Sequence, residues 1–328
     1  AGTRCFKNRG GMGLLGVIGK YMGMYRFSNT LALLDANIRG VGADKAMGGR
    51  RFSNYTWHGD QAPGHPFVHG LQASDVDFAD LRYSKLVIQV GKNLIENKMP
   101  EAHWLTEVIE RGGKLVVITP EYSPSATKAD YWIPCRTGIS DTTIFLTMTK
   151  IIIDNKWYDE DFVKKFTDFP LLVRTDTLKR LQPHEIIKDY KQPELDYSHT
   201  VQGLKKEQRK QLGDFVVYDS KTKDFMAITR EDVGKKMVAK GIDPSLEGTF
   251  KVETVDGKTV EVMTLFDLYK IHLRDFDVKT TADITGSPAH LIERLAKDCA
   301  TIKPVAIHYG EGINHYFHAT LHNRATYL

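Results

Sequence analysis

Short apolar runs rich in β-branched residues alternate with stretches of helical spacing through the middle of the chain. Lys85-Leu86-Val87-Ile88-Gln89-Val90 predicts a strand buried on both faces, and it runs straight into Gly91-Lys92-Asn93. Residues 100–111 predict a helix, with Pro100 near the first turn and Gly112-Gly113 past the end. Lys114-Leu115-Val116-Val117-Ile118-Thr119 predicts a second buried strand, closed by Pro120-Glu121-Tyr122. This is a βαβ unit, whose parallel strands place both loops at the carboxyl edge of the sheet, where open α/β sheets bind ligands. A short helix at 126–130 and a third strand at 131–134 come next. The turn Thr137-Gly138-Ile139-Ser140-Asp141 follows, with Ser140 or Asp141 capping an apolar helix that runs through Ile151. Asp159-Glu160-Asp161 caps another helix, 162–166.

The pattern changes over 183–258, where Lys and Glu are dense and apolar runs are short. Two hairpins are expected there, 215–218 with 225–229 and 250–253 with 260–262, the latter turning at Asp256-Gly257. Helical spacing resumes at 265–276, and Ser287 at the N-cap with Pro288 at N1 opens a helix through residue 296. A strand at 304–309 empties into the loop Gly310-Glu311-Gly312-Ile313-Asn314-His315. Four segments result: 1–82, which holds an irregular loop and a helix at 31–38; an α/β region at 83–182; an insertion at 183–258; and a return to the α/β region at 259–328. The expected fold class is α/β, a parallel sheet with a small β-rich surface insertion.

Composition changes this picture little. At 328 residues, 41% hydrophobic and 26% charged, the chain has the make-up of one large or two modest globular domains, without an apolar run that could span a bilayer. A formal charge of +4, spread along the chain, argues against a nucleic-acid groove and allows local basic pockets for phosphates. Cys5, Cys135 and Cys299 are too far apart to build a zinc site or an iron–sulfur cluster by themselves. The chain opens at Ala1 and stops at Leu328 within a stretch that reads as a continuing helix, which predicts an internal piece of a longer polypeptide.

The candidate chemistry lies in loops. Met47-Gly48-Gly49-Arg50-Arg51-Phe52-Ser53-Asn54-Tyr55-Thr56-Trp57-His58-Gly59-Asp60 leads into the turn-prone run Gln61-Ala62-Pro63-Gly64-His65-Pro66. Glycine and proline at this density break helix and strand, leaving either a solvated turn or a loop that presents Arg, His and Asp to a cavity. The strand-end loops at 91–93, 119–122 and 310–315 share a theme. Glycine lets backbone N–H groups approach a phosphate, and a carboxylate at the end of the next strand accepts from a ribose hydroxyl. A carboxylate such as Asp141 also suits the N–H donors of guanine. None of these loops matches GxGxxG or a P-loop.

In order and spacing, Asp60, Asp75-Val76-Asp77-Phe78-Ala79-Asp80, Val90-Gly91-Lys92-Asn93, Ile118-Thr119-Pro120-Glu121-Tyr122, Thr137–Asp141 and Gly310–His315 resemble the catalytic subunits of molybdopterin oxidoreductases of the dimethyl-sulfoxide-reductase family. The likeness is to the nitrate reductase and nitrite oxidoreductase branch, covers most of the chain and is weakest across 183–258. The run Trp57-His58-Gly59-Asp60-Gln61-Ala62-Pro63-Gly64-His65 is most similar to the alpha subunit of nitrite oxidoreductases from nitrite-oxidising or anaerobic ammonium-oxidising bacteria.

The resemblance implies a Rossmann-like molybdopterin-dinucleotide-binding domain. It implies molybdenum held by a pair of molybdopterin guanine dinucleotides with Asp60 as the protein ligand, a hard oxygen donor suited to a high-valent metal. Gly48 and Gly49 lie in the loop over the cofactor. Gly91 and Gly310 would meet the dinucleotide phosphates through backbone amides, and Gly312, Asn93 and Asn314 line the same loops. Pro120, Glu121 and Tyr122 would lie near a ribose, with Thr137, Gly138 and Asp141 at a guanine. His58, His315 or His318 would take protons or hold the anion, and Arg50 and Arg51 would bind pterin phosphates or the anion. The implied reaction converts nitrite and water to nitrate, two protons and two electrons.

A [4Fe-4S] cluster is expected in the full-length subunit and is not ligated by this chain. An iron–sulfur beta subunit and a haem gamma subunit are the expected partners, and the implied location is at a membrane through those subunits, on the periplasmic side or in the anammoxosome. Two departures stand out. Nitrate reductases usually carry Tyr-x-Asp-Leu-Pro where this chain has His58 and no leucine, and the family's iron–sulfur segment and large carboxyl-terminal half are missing. The alternatives are a nitrate, chlorate or selenate reductase of the same family, a NAD-type dehydrogenase, which the glycine spacing disfavours, and a non-enzymatic α/β nucleotide-binding module.

Overall fold

The computed structural model describes residues 64–69, 78–138, 140–193, 213–314 and 318–327. The helix expected at 31–38 lies outside them. The fold divides into two compact units, Ala1–Ile152 with Phe276–Leu328, and Ile153–Asp275.

The first unit begins with a parallel ladder. β1 (Leu86–Val90) is buried along its whole length, and β2 (Lys114–Thr119) and β3 (Tyr131–Pro134) are added beside it in parallel. Strands buried on both faces need apolar side chains on both, which is why these runs show little alternation. Between β1 and β2 the helix Ala102–Glu110 turns Leu105 and Val108 onto Val87, Leu115 and Val117. Period-two alternation along β1 sends Leu86, Ile88 and Val90 to the opposite face, where they are also buried.

The chain then enters the second unit. β4 (Leu172–Arg174), β5 (Phe215–Asp219), β6 (Asp224–Ile228), β7 (Thr249–Glu253) and β8 (Thr259–Thr264) are all antiparallel, as a β5–β6 hairpin and a β4-β8-β7 sheet. Both expected hairpins are present. Gly257, at φ +79°, makes the turn between β7 and β8. The compact unit is wider than the compositionally distinct stretch 183–258, because β4 and the helix Leu265–His272 belong to it.

Helical expectations need three corrections. The helix expected at 265–276 ends at His272 and tightens into a 3-10 turn, Leu273–Asp275. A separate helix, Val278–Thr285, follows, capped by Asp277, whose side chain accepts from the Thr280 N–H at 2.9 Å, and closed by left-handed Gly286. Pro288 rather than Ser287 is the N-cap of the next helix, Ala289–Thr301, because the Ser287 hydroxyl donates instead to the Pro134 carbonyl at 2.8 Å.

The chain returns to the first sheet with β9 (Val305–Tyr309), parallel to β1 on its free side, giving the order β3-β2-β1-β9. The expected loop 310–315 is mostly the short helix Glu311–Asn314. The helix Ala319–Thr326 then packs against Gly64–His69.

Candidate functional site

Strand order reverses at β1: β2 and β3 are added on one side and β9 on the other. In an open parallel sheet this is the position of the ligand crevice, beyond the carboxyl ends of the strands. Here the two strand ends touch backbone to backbone. A Cβ at Gly91, which has φ +56°, would lie 2.9 Å from Gly312 Cα, and one at Gly312 would lie 2.6 Å from the Gly91 oxygen. Only glycine at both positions permits this approach. At Gly310 a Cβ would meet the Lys92 side chain at 2.6 Å, so that glycine makes room for the lysine stem.

The backbone donors of these glycines are engaged within the sheet end. Gly91 N–H donates to the Ile118 oxygen at 3.0 Å, Gly310 N–H to Val90 at 3.1 Å and Gly312 N–H to Gly91 at 3.2 Å. These amides, expected beside the cofactor phosphates, join β1, β2 and β9 here.

The loops after β1 and β2 are tied together. Asn93 Oδ1 accepts from the Ser125 hydroxyl at 2.9 Å, and its Nδ2 donates to Glu96. Thr119, buried at the end of β2, donates its hydroxyl to the Glu121 carbonyl at 2.7 Å, and the Trp132 indole N–H donates to the Thr119 carbonyl at 3.0 Å. Beyond half-buried Pro120, Glu121 is exposed and Tyr122 stands edge-on to Trp132 with 61% of its surface open. An exposed carboxylate and aromatic ring therefore stand past β2, next to the switch point.

Beyond β3, Thr137 is exposed and Gly138, at φ +87°, turns the chain toward the helix Ser140–Asp154. Arg136 Nη1 donates to the carbonyls of Asp283 and Ile284, at 2.7 and 2.8 Å, locking this turn to the end of Val278–Thr285. Burial pushes the Asp141 carboxyl up to about 6. Cys135 is pushed up to about 12, first by burial and then by Asp141, so its thiol is inert at neutral pH. Asp141 stands two strands away from β1 in the sheet order, separate from the Gly91–Gly312 contact.

Polar side chains that the sequence reading passed over lie under the switch point. Gln89, fully buried in β1, pairs in register with His308 of β9, its Nε2 3.4 Å from His308 Nδ1. Burial, then the charges of Lys92 and Lys98, push His308 down to about 4, so it is neutral at pH 7. A glutamine inside an otherwise apolar strand was the available signal. Past the end of β9, Asn314 is buried and its Oδ1 accepts from Asn323 Nδ2 at 3.0 Å. His318, left-handed at φ +65°, is exposed as the N-cap of Ala319–Thr326.

The structure thus brings Gly91, Gly310, Gly312 and Asn314 together, with Asn93, Glu121 and Tyr122 in the adjoining loops. Gly48, Gly49, Arg50, Arg51, His58, Asp60 and His315 lie outside the described residues. Among the described residues no group of three His, Cys, Asp or Glu could hold a metal ion, and no helix is long and apolar enough to cross a membrane.

Together, the reversed strand order and the joined strand ends define an α/β protein of the open parallel-sheet class. Residues 43–327 match the family described as Molybdopterin oxidoreductase, and the chain belongs to that family. It is similar to the perchlorate reductase alpha subunit of Dechloromonas aromatica, with 32% identity over 291 residues, 85% of this chain and 31% of that protein. It is similar also to the respiratory nitrate reductase alpha subunit of Haloferax mediterranei, with 30% identity over 290 residues, 86% of this chain and 28% of that one. Acetylene hydratase from Pelobacter acetylenicus superposes with a TM-score of 0.46 at 20% identity, covering 83% of this chain and 24% of that one. The chain spans about a third of the length of the curated relatives it matches, 31% and 28%.

Family membership implies a molybdenum–molybdopterin cofactor, and the donor set at the sheet edge fits one. The exposed Glu121 carboxylate beyond β2 suits a hydroxyl-bearing group, and the half-buried Asp141 carboxyl suits N–H donors.

Proposed function

We propose that this chain is the cofactor-holding part of a catalytic subunit that oxidises nitrite to nitrate, with molybdenum carried by two molybdopterin guanine dinucleotides and ligated by Asp60. The observation that carries the metal assignment is the seat of the residues just after Asp60. The His65 ring lies 5.6 Å from the ring of Tyr309, the last residue of β9. His65 follows Asp60 by five residues, and this short tether supports a seat for the Asp60 loop by the carboxyl edge. The nitrite assignment rests on Trp57-His58-Gly59-Asp60-Gln61-Ala62-Pro63, with a histidine where nitrate reductases usually have tyrosine and no leucine before the proline.

The reaction balances as nitrite plus water giving nitrate, two protons and two electrons. When bound, the cofactor supplies the two-electron redox change and the oxygen-atom transfer. The chain's own groups hold and relieve that chemistry. Asp60 anchors the metal, His58 and His315 accept protons or hold the anion, and Arg50 and Arg51 offer paired donors to anionic oxygens. Glu121 and Tyr122 would lie near a ribose, and Gly138 with Asp141 at a guanine. Electrons would leave through an iron–sulfur beta subunit and a haem gamma subunit that hold the enzyme at a membrane, on its periplasmic side or in the anammoxosome.

Reduction of nitrate, chlorate or perchlorate is the second reading, favoured by the names of the relatives at about 30% identity. Assays on the intact subunit separate the two: nitrite-dependent reduction of an artificial acceptor against nitrate-dependent oxidation of a reduced dye. The first should be the faster, and a dominant second activity would favour the reductase. Asp60→Ala should abolish both while the protein stays folded, and retained turnover would remove the ligand assignment.

A further inference from the structure

Asn323, in the helix Ala319–Thr326, is the centre of a buried polar knot. Its side chain is fully buried. Its Nδ2 donates to the Ala319 carbonyl at 2.9 Å and to Asn314 Oδ1 at 3.0 Å, and reaches the Ile313 carbonyl at 3.4 Å. Two of the three acceptors are backbone carbonyls, which dictates the end of the amide that is nitrogen. The third segment is Gly64: a Cβ there would lie 2.4 Å from Asn323 Nδ2 and 3.0 Å from the Ala319 oxygen. Beside it, His322 is buried with its Nδ1 2.7 Å from Thr142 Oγ1.

These contacts form a continuous chain. Gly91 clasps Gly312 in the helix Glu311–Asn314, Asn314 and Ile313 of that helix meet Asn323, and Asn323 meets Gly64, four residues after Asp60. We infer that Asn323 is a positioning residue for the molybdenum loop, fixing the carboxyl end of that loop to the end of β9. It acts through Gly64, since a fully buried amide touches neither substrate nor cofactor. An apolar side chain of similar size would fill the space, but nonpolar packing is non-directional, whereas an amide donor aimed at fixed oxygens sets one register. The inference rests on the assignment of Asp60 as metal ligand.

The test measures molybdenum per folded intact subunit after desalting with a chelator, with the Mo(V) electron paramagnetic resonance signal as a second readout. Asn323→Asp keeps the shape but turns the donor into an acceptor facing carbonyl oxygens, and Asn323→Ala removes it. Both should lower metal retention by about tenfold, the scale seen when groups that orient a ligand are lost. Leu105→Ala, in the core under the helix Ala102–Glu110, is the control for a purely structural loss and should keep its metal at an equal fall in melting temperature. Gly64→Ala should release metal as well, but less so in the Asn323→Ala background, where its closest clash is gone. Equal retention in the Asn323 variants and Leu105→Ala, or strictly additive effects of Gly64→Ala and Asn323→Ala, would overturn the inference. A wild-type subunit without molybdenum would overturn the functional reading and this inference together, whereas a loaded wild type with equally loaded variants overturns this inference alone.

Discussion

In the parallel-sheet unit, β1 is buried at all five positions and polar side chains gather where the strands stop. In the antiparallel unit, β7 alternates exposed with buried positions and the polar side chains close turns within the unit. Asp219 accepts from the N–H groups of Asp243, Thr222 and Lys221 at 2.8, 3.1 and 3.4 Å and from the Thr222 hydroxyl at 2.8 Å. Arg174 forks onto Asp176 at 3.0 and 2.8 Å and reaches Glu185 at 2.6 Å. The glycines differ in the same way. Gly312 is pinned against another backbone, while nothing lies within 4 Å of a Cβ built at Gly257. The first unit joins strand ends around a crevice, and the second holds itself together; damage at the joined strand ends should reach the cofactor and damage in the second unit should stay local.

The largest contrast is predicted between these two glycines. Gly312→Ala forces apart two backbones that cannot yield as a flexible side chain would, at a cost of about 3 kcal/mol, and should lose molybdenum. Gly257→Ala meets only the penalty of its positive φ, about 1 kcal/mol, with metal content unchanged. Thermal unfolding with metal analysis checks both, and equal costs would erase the distinction.

Next in size is Asp219→Ala, expected to cost about 2 kcal/mol by stranding its donors, again without metal loss. Burial raises the Asp219 carboxyl, but the donors from Asp243, Thr222 and Lys221 outweigh it and hold the group at about 2. Its folded value is below its unfolded one, so its stabilisation is present above about pH 4 and is lost as pH falls toward 2. Urea titrations across that range should show the wild type converging on the variant.

Asp141 has the opposite sign. Its folded value near 6 lies above the unfolded 3.8, so ionisation costs stability, a penalty complete above pH 6 and absent below about pH 4. Asp141→Asn should gain about 1 kcal/mol at pH 7 relative to wild type and flatten the profile between pH 4 and 6. It should also weaken dinucleotide retention if the carboxylate meets guanine. The smallest effect is expected for Arg174→Lys, which loses the fork but keeps the charge, at about 0.5 kcal/mol with metal retained.

The parallel strands were legible because burial on both faces leaves an apolar run with no other use: β2 and β3 fall where the pattern put them, and β1 and β9 within a residue. The helix Val278–Thr285 was not legible, although Asp277 and Gly286 signal its ends, because its fully buried residues are Thr281 and Thr285. Thr281 is satisfied by the Thr147 hydroxyl at 2.6 Å, so polar residues occupy what a hydrophobic pattern expects to be apolar. Gly91 and Gly310 were legible as strand-end glycines, but their hydrogen bonds to Ile118 and Val90 were not, since each joins residues from different strands. Asn323 gave no local signal, because its partners are Gly64, Ile313 and Asn314 as well as its own helix.

By itself the sequence determined the βαβ periodicity, the order of the loops at the carboxyl edge and, through their spacing, the family. Those properties follow from short-range rules of burial and turn chemistry that each segment obeys on its own. Only the tertiary structure decided that β9 returns to the free side of β1 and that Gly91 and Gly312 meet as bare backbone. It also decided that Asn323 ties Gly64 to the end of that strand. Each of these joins residues far apart in the chain, and such contacts are selected by packing among whole elements.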